Sequence, residues 1–367
     1  MMNIKKYYLR IIIETDGSLL SSLIRAILSL ASIPYLLIIN LRNFFYKIKL
    51  LKTRKLPCFV ISIGNLTWGG TGKTPVTEKV SEILSRNNIS HAILSRGYKS
   101  ENTSRINVVS DKYSILLKPP YAADEALMLA ENLKGVPVIT GKDRYSTGKF
   151  AIKNYGAKAL ILDDGYQHIA LERDLNILLI DSSKDFEKEK LTPRGTLREP
   201  FKSLSRADLI LLTKTNQAGR DINRLRDFIK HYNHTASIEK AVHRVEGVIE
   251  FKSGRAFSLS SFKDKKVLAF SAIGDPASFH SSLKEIGLNI AGFIEFDDHH
   301  YYSPDEVNEI YRKAKTLKAE AVITTEKDIK RTPEIFSFAE NLYFLKLSVA
   351  LDEDCIEKII LKHFKSL

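Results

Sequence analysis

A glycine-rich run that ends in lysine and threonine is the part of this sequence best suited to chemistry. It extends over residues 64–75, follows the apolar residues 58–63 and precedes a helix-like segment at 76–84. Glycines let backbone N–H groups approach a polyphosphate, the lysine can reach its outer phosphates, and the threonine hydroxyl can bind Mg2+ at a helix N-terminus. The run predicts a nucleoside triphosphate site formed by Gly69, Gly70, Thr71, Gly72, Lys73 and Thr74.

The loop is a variant, because Thr67 stands where the usual eight-residue pattern begins with glycine. What remains is similar to P-loops that read Lys-Gly-Gly-x-Gly-Lys-Thr, with Trp68 in place of the first lysine. The alternative is a glycine-rich turn with a coincidental Lys-Thr, and the flanking strand and helix signals favour the phosphate site. The loop alone does not determine which nucleotide reaction follows.

Asp163 and Asp164 follow the apolar run at 159–162. A carboxylate at such a strand end is where P-loop enzymes hold the Mg2+ that is bound to the nucleotide phosphates. The pair is therefore predicted to bind metal or phosphate, and the alternative is a polar turn that closes the strand. For Gln167 and His168, just beyond, a structural hydrogen bond and a contact with substrate fit the sequence equally well.

Two further acidic clusters are candidates for moving the proton of an acceptor hydroxyl. Asp124 and Glu125 begin a helix-like run, and local sequence alone favours reading them as helix-start acids that the helix dipole stabilises. Residues 296–300 contain two carboxylates and two imidazoles, Asp297, Asp298, His299 and His300. This second cluster suits a metal site or an acid–base role, and a third and a fourth metal ligand are not evident.

Length and composition indicate a globular chain with two α/β units. The chain has 367 residues, 44% hydrophobic and 27% charged, enough for two cores at about 150 residues each. Apolar runs alternate with helical patterns after the loop, which predicts a parallel sheet covered by helices on both faces. The predicted units are a P-loop nucleotide-binding domain at 57–235 and a smaller α/β lobe with a strand linker at 236–367. Two distant cysteines support neither a disulfide framework nor a cysteine zinc site, and they fit a reducing compartment.

Residues 1–56 are predicted to be a basic segment that associates with a membrane. The net charge is +13, and no acidic residue occurs between Asp16 and Glu78. Residues 18–39 are long and apolar enough to span a bilayer, but Arg25 lies inside them and Pro34 is expected to kink or end the helix. An amphipathic helix on an anionic membrane surface is favoured over a true span and over a helix packed on its own domain. The Leu- and Ile-rich helix argues against nucleic acid as a partner.

Taken in order, these motifs resemble the tetraacyldisaccharide 4'-kinases, which phosphorylate the lipid A precursor in Gram-negative bacteria. The resemblance covers most of the chain beyond the N-terminal helix. It differs from the usual family pattern at Ala123, where glycine is common, and at Tyr166, where leucine is common. The matching motifs are residues 63–75, 95–98, 124–125, 141–144, 163–168, 193–200, 207–208, 296–300 and 324–328.

The resemblance implies a catalytic base at Asp124 paired with His299, with Asp298 beside that dyad. It implies ATP and Mg2+ as cofactors, and the residues expected to contact them are Lys73, Thr74, Asp163 and Asp164, with Arg144, Gln167 and Glu199 around the catalytic centre. Because Asp124 and His299 are far apart in sequence, closure of two lobes is expected to assemble the dyad and exclude water.

The implied function is ATP-dependent phosphorylation of the 4'-hydroxyl of a tetraacyl glucosamine disaccharide 1-phosphate in lipid A biosynthesis. Such a lipid places the expected enzyme, a monomer, on the cytoplasmic face of the inner membrane. The alternative is a membrane-associated P-loop ATPase of the partitioning type without a small acceptor, and the missing signature lysine and the 296–300 cluster count against it. A P-loop GTPase would need Asn-Lys-x-Asp, which residues 212–216 match only in half.

Overall fold

The N-terminal helix is long, apolar and mostly uncovered by the rest of the protein. The structure, a computed structural model, describes residues 8, 11–12, 17–98, 100–102, 104–218 and 221–366. Helix α1 (Leu19–Lys47) begins after Ser18, whose hydroxyl accepts a hydrogen bond from the Ser21 N–H. Within those residues, α1 alone is long and apolar enough to cross a membrane, with mean hydropathy 2.0 over a window that is 6% buried.

Pro34 was expected to kink or to end the helix, and helix α1 continues through it, so it does not end the helix. A proline removes a single N–H bond, and in a helix of 29 residues the turns on both sides keep their own bonds. The basic and aromatic residues from Arg42 to Lys47 therefore belong to the last turns of the same helix.

The glycine-rich loop belongs to the first half of one large sheet. The strands of this half are β1 (Phe59–Asn65), β2 (His91–Ser95), β3 (Asn107–Ser110), β4 (Val138–Thr140), β5 (Ala159–Asp163), β6 (Leu175–Asp181) and β7 (Leu209–Thr213). The helices between them are α2 (Lys73–Arg86), α3 (Asp124–Asn132), α4 (Arg144–Tyr155) and α5 (Ile222–Tyr232).

The second half of the sheet repeats the alternation of strands and helices. Its strands are β8 (Ser237–Glu250), β9 (Ala256–Phe257), β10 (Lys266–Ser271), β11 (Asn289–Glu295), β12 (Ala321–Thr325) and β13 (Leu342–Leu351). Its helices are α6 (Pro276–Glu285), α7 (Pro304–Thr316), α8 (Glu326–Arg331) and α9 (Glu353–Lys365).

The strand order is β11-β10-β12-β13-β8-β7-β6-β1-β5-β2-β4-β3, with β9 paired to β8 outside this path. Neighbours along the path are parallel except β3 with β4 and β8 with β13. The predicted α/β fold with a largely parallel sheet is therefore confirmed. Its central strands are buried along their whole length and mostly apolar, as expected for strands that helices cover on both faces.

The sequence patterns at 238–245 and 248–252 predict two short strands, but the structure has one continuous strand there, β8. Its pairing with β13 shifts register, because Lys346 lies opposite Gly247 and Leu347 lies opposite Val245. The bulge leaves Glu246 out of the pairing and changes the phase of the side-chain alternation. In the sequence, this change of phase looks like a break between two strands. Strand β8 also pairs with β7, and it therefore joins the two halves of the sheet.

The two halves have separate hydrophobic cores. The buried residues around Phe262 and Phe270 all fall between 248 and 345. The last helix, α9, instead packs on the first half, where Ile356 and Ile360 join the core around Phe59. The chain thus returns to the first half at its C-terminal end, a packing that the predicted unit 236–367 does not include.

Candidate active site

The glycine-rich loop joins β1 to α2 in the middle of the sheet. Gly69 has a φ of 106° and Gly72, the N-cap of α2, has a φ of 82°, and both values lie in the region that favours glycine. Asn65 Nδ2 donates to Thr71 Oγ1 at 3.0 Å and so ties the end of β1 to the loop. Backbone N–H groups at the start of a helix of 14 residues are suited to bind phosphate.

Lys73 and Thr74, the first residues of α2, lie beside the carboxylates that end β5. The distance from Lys73 Nζ to Asp164 Oδ1 is 3.6 Å. Thr74 is buried, and one turn further along α2 Thr77 Oγ1 donates to Asp163 Oδ1 at 3.3 Å. The lysine, the threonine and the two aspartates that the sequence singled out therefore occupy one place in the structure.

The two aspartates differ in their electrostatic surroundings. Burial and the nearby charge of Glu125 raise the pKa of Asp163 to about 7. Burial acts on Asp164 in the same direction, but the charges of Lys73 and Arg198 outweigh it and lower the pKa of that carboxyl. Arg198 Nη1 lies 3.0 Å from each Asp164 oxygen, whereas no cation of the described residues forms an ion pair with Asp163.

Asp124 and His299 come from opposite halves of the sheet and touch. Asp124 begins α3, His299 lies between β11 and α7, and His299 Nδ1 is 3.2 Å from Asp124 Oδ2. Asp298 Oδ1 is 3.8 Å from His299 Nε2. Arg331 Nε donates to the same Asp124 Oδ2 at 2.7 Å. Burial alone would raise the pKa of Asp124, but the His299 hydrogen bond and the Arg331 charge outweigh it and lower that pKa.

The charge of Lys73, in the phosphate loop, affects Glu125, the residue that follows Asp124 of the dyad. Lys327 Nζ donates to Glu125 Oε1 at 2.6 Å. The charge of Lys327 lowers the pKa of Glu125 to about 2, burial opposes this shift, and the charge of Lys73 adds to it. The charge of Lys73 therefore reaches the residue next to Asp124.

Arg144 and Gln167 flank the aspartates. Arg144 Nη1 donates to Gly141 O at 2.8 Å, and burial lowers the pKa of the Arg144 guanidinium to about 10, against the opposing charge of Asp163. Gln167 Nε2 donates to Asn65 O at 2.8 Å, and Gln167 Oε1 lies 3.4 Å from Arg198 Nη1. Arg144 thus lies within reach of the aspartates' charges, and Gln167 lies at the end of β1 that leads into the loop. Contact of either residue with a nucleotide stays a prediction.

Glu199 is fully buried, and two arginines bind its carboxylate. Arg42 of α1 donates to Glu199 Oε1 at 3.1 Å, and Arg206 donates to Oε2. Arg42 also donates to Gln167 O at 3.2 Å. These contacts indicate that Glu199 anchors α1 beside the site, and its predicted place next to the cofactor stays a prediction.

Three cations of the site had no role assigned from the sequence, namely Arg198, Lys327 and Arg331. Arg198 and Lys327 lie inside motifs 193–200 and 324–328, and Arg331 follows the second motif by three residues. The alternating charges of residues 326–331 indicate a charged helix surface. Nothing in one sequence tells which carboxylate each cation meets.

The fold and these contacts define a P-loop phosphotransferase with an alcohol acceptor, since the loop suits a polyphosphate and the Asp–His pair suits removal of a hydroxyl proton. The model of the tetraacyldisaccharide-1-P 4'-kinase family matches residues 24–365. The chain belongs to the tetraacyldisaccharide 4'-kinase family, and the predicted kinase function is confirmed.

Named relatives and one solved structure agree with this assignment. The tetraacyldisaccharide 4'-kinase of Syntrophus aciditrophicus is 36% identical over 348 residues, covering 92% of this chain and 93% of the relative. That of Desulfotalea psychrophila is 38% identical over 328 residues, covering 89% and 92%. The crystal structure of LpxK from Aquifex aeolicus in complex with ATP is similar with a TM-score of 0.75 and 32% identity, over 93% of this chain and 99% of that one.

Proposed function

We propose that this chain transfers the γ-phosphoryl group of ATP to the 4'-hydroxyl of a tetraacyl glucosamine disaccharide 1-phosphate. Asp124 accepts the hydroxyl proton, and His299 orients the carboxylate and helps carry the proton away. The observation that carries the proposal is the 3.2 Å contact between His299 Nδ1 and Asp124 Oδ2, which joins the half of the sheet that holds the phosphate loop to the second half. ATP is the ligand named for the Aquifex aeolicus relative, and its phosphates suit the loop N–H groups and Lys73.

The residues around β5 fit a hard dication. Asp163 is buried and lacks a cation partner among the described residues. Its raised pKa means that its ionised form is poorly stabilised, and a bound cation would stabilise it. The described residues contain no group of three His, Cys, Asp or Glu side chains arranged for a metal, so the remaining ligands would be a hydroxyl, phosphates and water. Thr74 and Asp163 would hold Mg2+, with Asp164 second to Asp163 because Lys73 and Arg198 already pair with it. Bound there, Mg2+ would neutralise charge on the phosphates.

Helix α1 is proposed to lie on the cytoplasmic membrane surface, where lipid substrate and ATP meet. Exposed leucines such as Leu19 at 91% and Leu30 at 67% support this, since the protein leaves them to water. The helix is fixed to the body on its other side, where Tyr35 donates to Arg198 O at 2.7 Å. A lipid held by α1 would therefore lie on the same side of the site as Asp164, which Arg198 contacts.

The membrane proposal is tested with vesicles of anionic and of zwitterionic lipid. The variant Leu23→Glu with Leu30→Glu is expected to leave anionic vesicles. The control Ser22→Glu with Ser29→Glu, which adds the same charge at exposed polar positions of α1, is expected to stay bound. Equal retention of both variants would contradict a role for the apolar face.

The lobes expected at 57–235 and 236–367 are proposed to move relative to each other, with α9 travelling with the first. Separate hydrophobic cores support this division. Strands β8 and β13 are the connection between the lobes, and closure around bound substrates would exclude water from the dyad.

The proposed reaction is tested with labelled ATP and the disaccharide 1-phosphate lipid. Lys73→Ala and Asp124→Ala are each expected to abolish label transfer to the lipid, while Lys79→Ala, on the same helix as Lys73 but paired with Glu82, keeps wild-type rates. Wild-type transfer by Asp124→Ala would overturn the assignment of the base.

A further inference from the structure

Arg331, in the second half of the sheet, contacts Asp124 of the dyad and the backbone beside His299. Its Nε donates to Asp124 Oδ2 at 2.7 Å. Its Nη1 donates to His300 O at 3.0 Å and to Ala272 O at 3.3 Å. The Ala272 carbonyl also accepts the His299 N–H at 3.0 Å. One guanidinium thus holds the carboxylate of the dyad and the backbone that carries the imidazole.

The guanidinium is itself fixed in place. The Arg331 side chain is 1% exposed, and Nη1 also donates to Asp328 Oδ1 at 3.3 Å. Asp328 is held in turn by the Ala272 N–H at 3.0 Å, by Tyr302 Oη at 3.1 Å and by Thr325 Oγ1 at 2.6 Å. A buried side chain held by several hydrogen bonds in this way is kept in one rotamer.

The backbone at His299 needs such support. His299 has a φ of 62°, in the left-handed region that a residue with a Cβ adopts only when its surroundings hold it there. The Ala272 carbonyl bonds its N–H, and Arg331 bonds the carbonyl of the next residue, His300. Without Arg331, one of these two restraints on the imidazole is lost.

The two donors at Asp124 both approach Oδ2, so among the described residues Oδ1 receives no hydrogen bond. We propose that Arg331 is a positioning residue for phosphoryl transfer, which holds Asp124 and His299 in register so that Asp124 Oδ1 faces the acceptor hydroxyl. This inference rests on the proposed role of Asp124 as the base.

Two other ion pairs also join helices α8 and α3. They make it possible to distinguish positioning of the dyad by Arg331 from mere attachment of one helix to the other. Lys327 pairs with Glu125 and Lys330 pairs with Glu131, so α8 is attached to α3 at three points. Lys330 contacts neither member of the dyad among the described residues. Its removal loosens the attachment and leaves the dyad bonds in place, which makes Lys330→Gln the matched control.

The test measures kcat, KM for ATP and the thermal unfolding midpoint of Arg331→Gln, Arg331→Lys, Lys330→Gln and Asp124→Asn in the full-length protein. A misplacement of about 1 Å can cost roughly 100-fold in rate, so Arg331→Gln is expected to lower kcat by about that factor with KM for ATP unchanged. Arg331→Lys, which keeps the charge but not the fork of donors, is expected to recover part of the loss. Lys330→Gln is expected to keep wild-type kcat.

Wild-type kcat in a folded Arg331→Gln variant would overturn the proposal, and so would equal losses in Arg331→Gln and Lys330→Gln. If Arg331→Gln fails to fold, Arg331→Lys carries the test through its lowered kcat at unchanged KM for ATP, and wild-type kcat there is the refuting result. Full activity of Asp124→Asn would instead overturn the proposed base. An inactive Asp124→Asn beside a fully active Arg331→Gln would overturn the role of Arg331 alone.

Discussion

Replacing His299 by alanine removes one of the two side chains that, among the residues described, bond Asp124, and leaves the other in place. The imidazole Nδ1 lies 3.2 Å from Asp124 Oδ2, while Arg331 Nε, at 2.7 Å from the same oxygen, remains. The carboxylate therefore stays ionised and partly oriented, but the group that helps carry the proton away is gone. Loss of the imidazole is a loss of acid–base catalysis rather than of ATP binding.

The expected size of the effect follows from that contact. A positioned acid–base group contributes about 100- to 10,000-fold in rate, or roughly 2.7–5.4 kcal/mol in the barrier at 1.36 kcal/mol per tenfold. We expect kcat of His299→Ala to fall within this range, with KM for ATP within about twofold of wild type because no P-loop residue bonds His299 among those described.

The assay is steady-state transfer of labelled phosphate to the disaccharide lipid, with His300→Ala as the control. His300 neighbours His299 but bonds Glu306 at 3.0 Å within its own half of the sheet, so its loss leaves the dyad side chains intact. Wild-type kcat in His299→Ala, or an equal loss in both variants, would refute the assignment of His299.

Three further predictions concern pH and stability. Asp124 must be ionised to act and its pKa is lowered, so kcat of the wild type falls only as pH drops through that lowered pKa. In Arg331→Gln one cation fewer opposes the effect of burial, so the pKa of Asp124 rises and the acid limb of the pH–rate profile should move to higher pH. An unmoved acid limb would contradict the role of the ion pair. Lys214 is 3% exposed between Asp181 at 2.9 Å and Asp275 at 2.8 Å. Lys214→Met should lower the free energy of unfolding in urea by about 3 kcal/mol, because both carboxylates then keep only the partly exposed Lys184, 3.8 Å from Asp181 and 3.3 Å from Asp275, as a cation partner among the described residues. Lys188→Met on the surface should change it by less than about 0.5 kcal/mol. A Cβ at Gly64 would lie 2.7 Å from Tyr166 Cβ and 2.9 Å from Tyr166 N, and nothing lies within 4 Å of one at Gly17. Gly64→Ala should therefore cost about 1–3 kcal/mol in urea unfolding and Gly17→Ala close to none, and equal stabilities would contradict the close packing.

The order of strands and helices was predictable because side-chain periodicity is local information. The helix starting at Asp124 and the strand ending at Asp163 were found from hydrophobic pattern alone, and so was the strand–loop–helix around Lys73. The continuous strand β8 was not, because the bulge at Glu246 shifts the alternation that a sequence pattern relies on.

The contacts of the site were less accessible, because they join residues far apart in the chain. The resemblance to a kinase family supplied the pairing of Asp124 with His299, which spacing alone could not. Arg331 went unassigned, since a buried arginine and an exposed one look the same in one sequence. Glu199 was singled out from the sequence, but its partners were not. Its two arginine partners come from α1 and from a neighbouring turn, which only the fold brings to it.

The most direct measurement of the central claim is release of ADP by the purified protein with and without the disaccharide 1-phosphate lipid, in wild type and in Asp124→Asn. A kinase whose base is assembled from both halves of the sheet should release ADP only when the lipid is present, with one phosphate gained by the lipid per ADP, and Asp124→Asn should release almost none. Equal ADP release with and without lipid, or wild-type release by Asp124→Asn, would contradict it.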